Sequence, residues 1–337
     1  MENAQKLEPN SPETLLALGY YQASVLHDFR LANRTFGLVS KLLPGSSEVR
    51  RALGVNAEAE GRWDEGVAYL EQALALDPRN VELLTDAAFT YAMLRQFPAA
   101  LKLYDRALDI TPNTPEVMAA KASIYQAEGD LQESAKFLSG INEQTPNGDT
   151  FQIRITQLRL ERNYGEAVRL LQARLGQFHF ASPLYKAQDQ AALALTQRLA
   201  GDTARAKVTA EQARNTLEQL YRDQPDNAVI AASLSLAYAA VGEKDSALKT
   251  GERAVMLMRR PNAVFGPTLE ENLAFIQTIF GENTRAISTL TQLLQTPYQS
   301  WLYEPTPITP ALLRLDPIWD PLRADPAFQK LCEEKQP

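Results

Sequence analysis

Residues 53–78 read LGVNAEAEGRWDEGVAYLEQALALDP, two runs of helix-forming residues on either side of Gly61, closed by Pro78. Proline has no amide hydrogen to extend a helix and turns the residue before it away from helical backbone, so Pro78 marks a stop. The same stop recurs at Pro44, Pro112 and Pro146, each 34 residues from the next. Other residues keep that period: Ala73 with Ala107, Leu70 with Tyr104 and Leu138, Tyr91 with Tyr125, and Gly61 with Gly129 two periods on. A fixed period of this length is the mark of a repeat architecture whose unit is one supersecondary piece.

Residues 81–112 show what one unit must do. Leu84, Ala87, Ala88 and Tyr91 recur at helical spacing and form one apolar face, with the two alanines small enough to let a neighbouring helix come close. Arg95 to Pro98 interrupts the pattern, and Pro98 suits the first turn of a second helix whose Ala100, Leu101, Tyr104, Ala107 and Leu108 again share a face. A single helical hairpin cannot bury both faces alone, so hairpins must stack.

These residues carry a resemblance to the tetratricopeptide repeat family. Residues Leu53, Gly54, Ala57, Gly61, Trp63, Gly66, Leu70, Ala73 and Pro78 match its pattern, as do Ala87, Ala88, Tyr91, Ala100, Tyr104, Ala107 and Pro112, and then Ala122, Tyr125, Gly129, Ser134, Leu138 and Pro146. An earlier unit, with Leu18, Gly19, Ala32, Phe36 and Pro44, has one extra residue before its second helix. The resemblance implies an all-α, right-handed superhelical solenoid of helix-turn-helix repeats, here with a C-terminal helical cap.

Four regular units are expected over 11–148 and four degenerate ones over 149–298, marked by Tyr164 and Ala167, by Gly201 and Ala206, by Tyr238 and Gly242, and by Gly281 and Ala286. The second helix of the sixth unit has no stop before Pro225, and Arg154 and Arg159 stand at normally apolar sites of the fifth. Residues 1–10 read as the remnant of a preceding repeat, with Ala4 and Pro9 standing as Ala73 and Pro78 do, or alternatively as a short cap. Residues 299–337 abandon the repeat; Thr309-Pro310 and Asp325-Pro326 open short helices rich enough in leucine and tryptophan to cover the end of the stack. This tail resembles the ending of repeat-bearing bacterial signalling proteins. That resemblance implies an effector domain upstream, and a soluble region that is cytoplasmic or the extracytoplasmic part of a membrane-anchored regulator.

Composition narrows the function. A net charge of -7 disfavours nucleic acid, and the only basic cluster is Arg259-Arg260. No stretch is long and apolar enough for direct membrane insertion, and the single cysteine, Cys332, permits no internal disulfide. No phosphate loop, nucleophile elbow or zinc motif occurs, so neither a cofactor nor an enzyme is expected. The two histidines, His27 and His179, read as structural, and Glu270-Glu271 and Glu333-Glu334 read as solvated helix faces. An enzyme with a site near 176–200, around His179, is the alternative from another class.

In the family the first helix of each unit lines a concave groove that takes a peptide. The positions facing it here include Tyr20, Arg51, Glu58, Thr85, Phe89, Met93, Ser123, Gln126 and Arg159, with Phe89 and Met93 read as exposed. The Lys and Asn that clamp a C-terminal carboxylate in chaperone-binding members are missing. The implied partner is a protein or peptide with apolar anchors, and self-association into a homo-oligomer is the alternative. The expected role is an interaction scaffold, the sensing or recruiting part of a larger bacterial regulator.

Overall fold

The structure is a computed structural model that describes residues 8, 10–258 and 262–333. The expected N-terminal remnant with Ala4 and Pro9, the Arg259-Arg260 pair and Glu334 therefore lie outside the described residues. Among the described residues every regular element is helical.

Eight helical hairpins follow one another: α1 (Pro12–Ser24) with α2 (Phe29–Leu42), α3 (Ser47–Ala59) with α4 (Trp63–Leu76), α5 (Val81–Met93) with α6 (Phe97–Ile110), and α7 (Pro115–Glu128) with α8 (Leu131–Phe137). Then come α9 (Gly148–Leu160) with α10 (Tyr164–Gln177), α11 (Pro183–Leu199) with α12 (Thr203–Asp223), α13 (Ala228–Val241) with α14 (Lys244–Leu257), and α15 (Gly266–Ile279) with α16 (Asn283–Leu293). The missing stop before Pro225 accounts for α12, which runs 21 residues. Two short helices, α17 (Pro310–Leu315) and α18 (Pro326–Glu333), flank a 3-10 turn at Pro317–Leu322.

One turn is used in every hairpin. Residues 27, 61, 95, 129, 162, 201, 242 and 281 all have left-handed backbone, five of them glycine. From the second hairpin on, the residue after this one donates its N–H to the carbonyl five residues earlier, as Arg62 does to Ala57 (2.9 Å) and Gln96 to Tyr91 (2.8 Å). This is the glycine-type helix stop, which satisfies carbonyls left open at the helix end. In the first hairpin Asp28 bonds instead to Gln22, six residues back, which absorbs the extra residue. A Cβ at Gly129 would meet Ala311 and Leu315 at ordinary contact distance, but would add backbone strain at φ +88. Gly129→Ala is expected to destabilise by about 1–2 kcal/mol, read as a lower urea midpoint.

Small residues set the packing. Ala57, Ala73, Ala87, Ala88, Ala100, Ala107 and Ala122 are all buried where helices meet, and Gly19 leaves no room for even a methyl group beside Phe36. Side-chain caps start most first helices: Ser11, Ser46, Asn80, Asn147, Ser182 and Asn227 each accept from an N–H in the first turn.

The chain forms two compact units, one of residues up to 117 with 260–265, the other of 118–259 with 266–337. In the first, α1 to α4 enclose a core of Ala32, Phe36, Val39, Val49, Ala52 and Leu53, and Ala263 donates its N–H to the Ala59 carbonyl (2.9 Å). In the second, the hairpins from α8 onward build successive clusters, such as Phe151, Ile155, Leu158, Leu170 and Leu193. Its C-terminal segment packs along first helices of the same unit, as described next.

Candidate partner-binding site

In the first unit α1, α3 and α5 carry six of the expected residues, and contacts of Tyr20 with Arg51, of Arg51 with Asp86 and of Glu58 with Thr90 link the three helices. Half-buried Tyr20 sits edge-on to Phe36, with ring centres 5.4 Å apart. Burial, followed by the charge of Glu48, pushes its hydroxyl above the usual tyrosine range. Arg51 bonds Glu82 (2.8 Å) and Asp86. Glu58 is buried and accepts from the Thr90 hydroxyl (2.7 Å); burial pushes its carboxyl up to about 7. Thr85 turns its hydroxyl back to the Val81 carbonyl (2.8 Å), and Phe89 is half-buried. Val55, one turn beyond Arg51, is 46% exposed. Met93 is fully buried, so the expected exposure of that side chain does not hold; at the C-terminal end of α5 it faces the core.

In the second unit the equivalent face is covered. Ser123 is fully buried with its hydroxyl on the Ala120 carbonyl, and Gln126 donates to the Ile153 carbonyl (3.2 Å) and to Gln157 (3.0 Å). Arg159 is buried against the chain's own C-terminal segment. Its guanidinium meets Asp316 at 3.0 Å, donates to the Leu302 carbonyl (3.2 Å) and lies near the Tyr303 ring. The charge that made this hairpin's packing look doubtful in sequence is thus paired inside it.

That segment, residues 298–322, runs over several first helices rather than only over the last hairpin. Thr309 donates to the Ala127 carbonyl at the end of α7 (2.7 Å), and Thr156 on α9 donates to the Leu302 carbonyl (3.2 Å). On α15, Thr268 bonds the Gln299 carbonyl and Phe275 meets Trp319 edge-on, 6.1 Å between ring centres. Glu271 corrects the expectation of a solvated carboxylate: it is fully buried and accepts from Ser300 (2.6 Å) and Tyr298 (3.0 Å), with the Trp301 and Leu302 amides also on it. The sequence shows only an Glu-Glu pair; its inner member is functional in packing because a polar segment returns from about thirty residues away.

Burial raises the Glu271 carboxyl from its ordinary 4.5 to about 7, against the pull of its four donors. A folded value above the unfolded one means stability fully present below pH 4.5 and lost as pH rises through 7. That interval is worth about 3 kcal/mol at most, at 1.36 kcal/mol per pH unit. The stability of the protein relative to Glu271→Gln is therefore expected to fall between pH 4.5 and 7, measured as the difference of their urea midpoints across that range; a flat difference would contradict it.

Both histidines are exposed, His27 in the first hairpin turn and His179 in the loop after α10. Near His179 the organised group is Arg174, which is buried, paired to Asp189 (2.9 Å) and held over Phe151 and Phe178. It donates to the Thr145 carbonyl (2.7 Å), so it ties α10 to α11 and to the turn before α9. No helix among the described residues is long and apolar enough to cross a membrane.

Comparison with known proteins agrees with this geometry. Residues 57–124 match the family model described as tetratricopeptide repeat. The photosystem I assembly protein Ycf3 of Cyanophora paradoxa is 30% identical over 101 residues, which is 28% of this chain and 58% of the relative. Ycf3 of a Synechococcus strain is 28% identical over 104 residues, 28% of this chain and 60% of the relative. The chain thus spans less than two thirds of the length of these curated relatives. A crystal structure of a tetratricopeptide repeat protein from Parabacteroides merdae aligns with 79% of this chain and 98% of its own, at a TM-score of 0.52 and 17% identity, a likeness of fold. With its period of 34, its repeated hairpin turn and its alanine-lined helix contacts, the chain has the fold of tetratricopeptide repeat proteins, and its residues 57–124 match the model of that family.

Proposed function

We propose that this chain is an interaction scaffold that takes a partner segment on the face of α1, α3 and α5, and that it acts as the recruiting part of a larger bacterial regulatory protein. Repeat scaffolds of this family generally bind other proteins and are typically non-catalytic. The observation that carries the reading is the chain's own segment in the second unit. There, first helices hold an irregular stretch of polypeptide through its carbonyls and two buried tyrosines, Tyr298 and Tyr303. The same kind of face in the first unit offers Tyr20, Val55 and Phe89 between Glu48, Glu82 and Asp86. Apolar anchors ringed by polar groups are the composition of a segment-binding groove. The regulatory role rests on the resemblance of the last thirty residues to the ends of bacterial signalling proteins.

Photo-crosslinking tests it. A benzophenone side chain at Val55 or Phe89 is expected to capture a discrete partner in cells, with the adduct lost on Tyr20→Ala. A benzophenone at exposed Lys102 on α6 serves as the control. Equal capture at Lys102 would sink the proposal.

A further inference from the structure

The second helix of the first hairpin carries a surface that the repeat does not require. Along α2, Arg30, Leu31, Arg34, Leu38, Lys41 and Leu42 are all exposed on one face, with Leu38 and Leu42 each at 53%. The helix contains no carboxylate, and none of its three cations has an ion-pair partner among the described residues. One repeat later, Leu31 and Leu38 correspond to Glu65 and Gln72; two repeats later, to Ala99 and Arg106. Stacking therefore tolerates polar residues at these positions, and the leucines call for another explanation.

The neighbouring second helix is its complement. Helix α4 contains Asp64, Glu65 and Glu71 and no cation, and at the matching phase it exposes Asp64, Glu65, Ala68 and Leu76. Arg62, before the helix, is shared between Glu60 and Glu65, so the acidic excess remains. Each of α2 and α4 follows a reversing turn, so the two run in the same direction within one chain. A two-fold axis between them and parallel to both would lay α2 of one copy on α4 of the other, running the same way, twice over. In that register Arg30 faces Asp64, Arg34 lies over Ala68 beside Asp64 and Glu65, Leu38 sits between the exposed Ala68 and Ala75, and Leu42 meets Leu76.

We infer that this patch is a self-complementary docking surface for a second copy of the chain. Charge complementarity favours this occupant over an anionic lipid surface, which would attract α2 but repel the carboxylates of α4. The contact is independent of the groove on α1, α3 and α5, and leaves that groove free.

The test is a charge swap read by light scattering. One variant carries Arg30→Glu and Arg34→Glu, the other Asp64→Lys and Glu65→Lys. The unmodified chain is expected to be a dimer that weakens as salt is raised. Each variant alone should be monomeric, with dimer affinity down by about tenfold or more, because positions 30 and 34 then meet positions 64 and 65 with like charges. Mixed together, the two variants should form a heterodimer, since acidic α2 meets basic α4 in one contact and basic α2 meets acidic α4 in the other. That recovery also certifies that both variants are folded. A monomeric unmodified chain, variants that dimerise unaided, or a mixture that stays monomeric would each overturn the inference.

Discussion

Trp319→Ala is expected to cost about 4 kcal/mol and to release the C-terminal segment before the hairpins beneath it. The indole is fully buried, donates to the Tyr303 hydroxyl (2.8 Å) and packs edge-on against Phe275 of α15. Removing it leaves a cavity, loses the aromatic contact and strands a buried hydroxyl, which together account for that magnitude. In a repeat array the loss stays local, because each hairpin is stabilised mainly by its neighbours. Hydrogen exchange should therefore rise over residues 298–333 and over the faces of α9 and α15 that the segment covers. Protection in α1 to α6 should remain. Uniform loss of protection would mean that the segment is needed for the whole array to fold, contrary to this account.

The second large effect concerns Arg159 and Asp316. Asp316 is fully buried, meets the guanidinium at 3.0 Å and caps the 3-10 turn through the Ile318 amide (3.1 Å). Asp316→Ala would strand the arginine in the interior and is expected to cost about 3–5 kcal/mol, whereas replacing both partners with apolar residues avoids the unpaired charge. The double variant Arg159→Met with Asp316→Leu should therefore be more stable than Asp316→Ala, although it still lacks the cap. Chemical denaturation of the three proteins decides the matter. A double variant less stable than Asp316→Ala would show that the pair contributes more than the cost of burying it.

Both expectations concern a part of the fold that the period could not announce. The recurrence of Pro44, Pro78, Pro112 and Pro146 implies hairpins because proline placement, helix stops and alanine spacing act over one helical turn. Even Arg95 and Arg162, unfavourable in left-handed backbone, occupy the turn that glycine fills at 61, 129, 201, 242 and 281. Helix phase also placed Tyr20, Arg51 and Phe89 on the first helices of their hairpins, and Tyr20 and Arg51 lie within reach of each other in the first unit. Glu271, Met93 and Arg159 were not legible, since their environments depend on what lies across from them.

The sequence by itself determined the hairpin, its length and the class of fold, because each of these depends on residues within one period. Tertiary structure alone decided which faces stay open. Residues 298–322 reach the faces of α7, α9 and α15 across chain separations of 27 to 182 residues. There they turn a surface arginine into a buried ion pair and a surface glutamate into a clamp. Burial sets the cost and value of such groups, and burial is a property of contacts between distant residues rather than of any one of them.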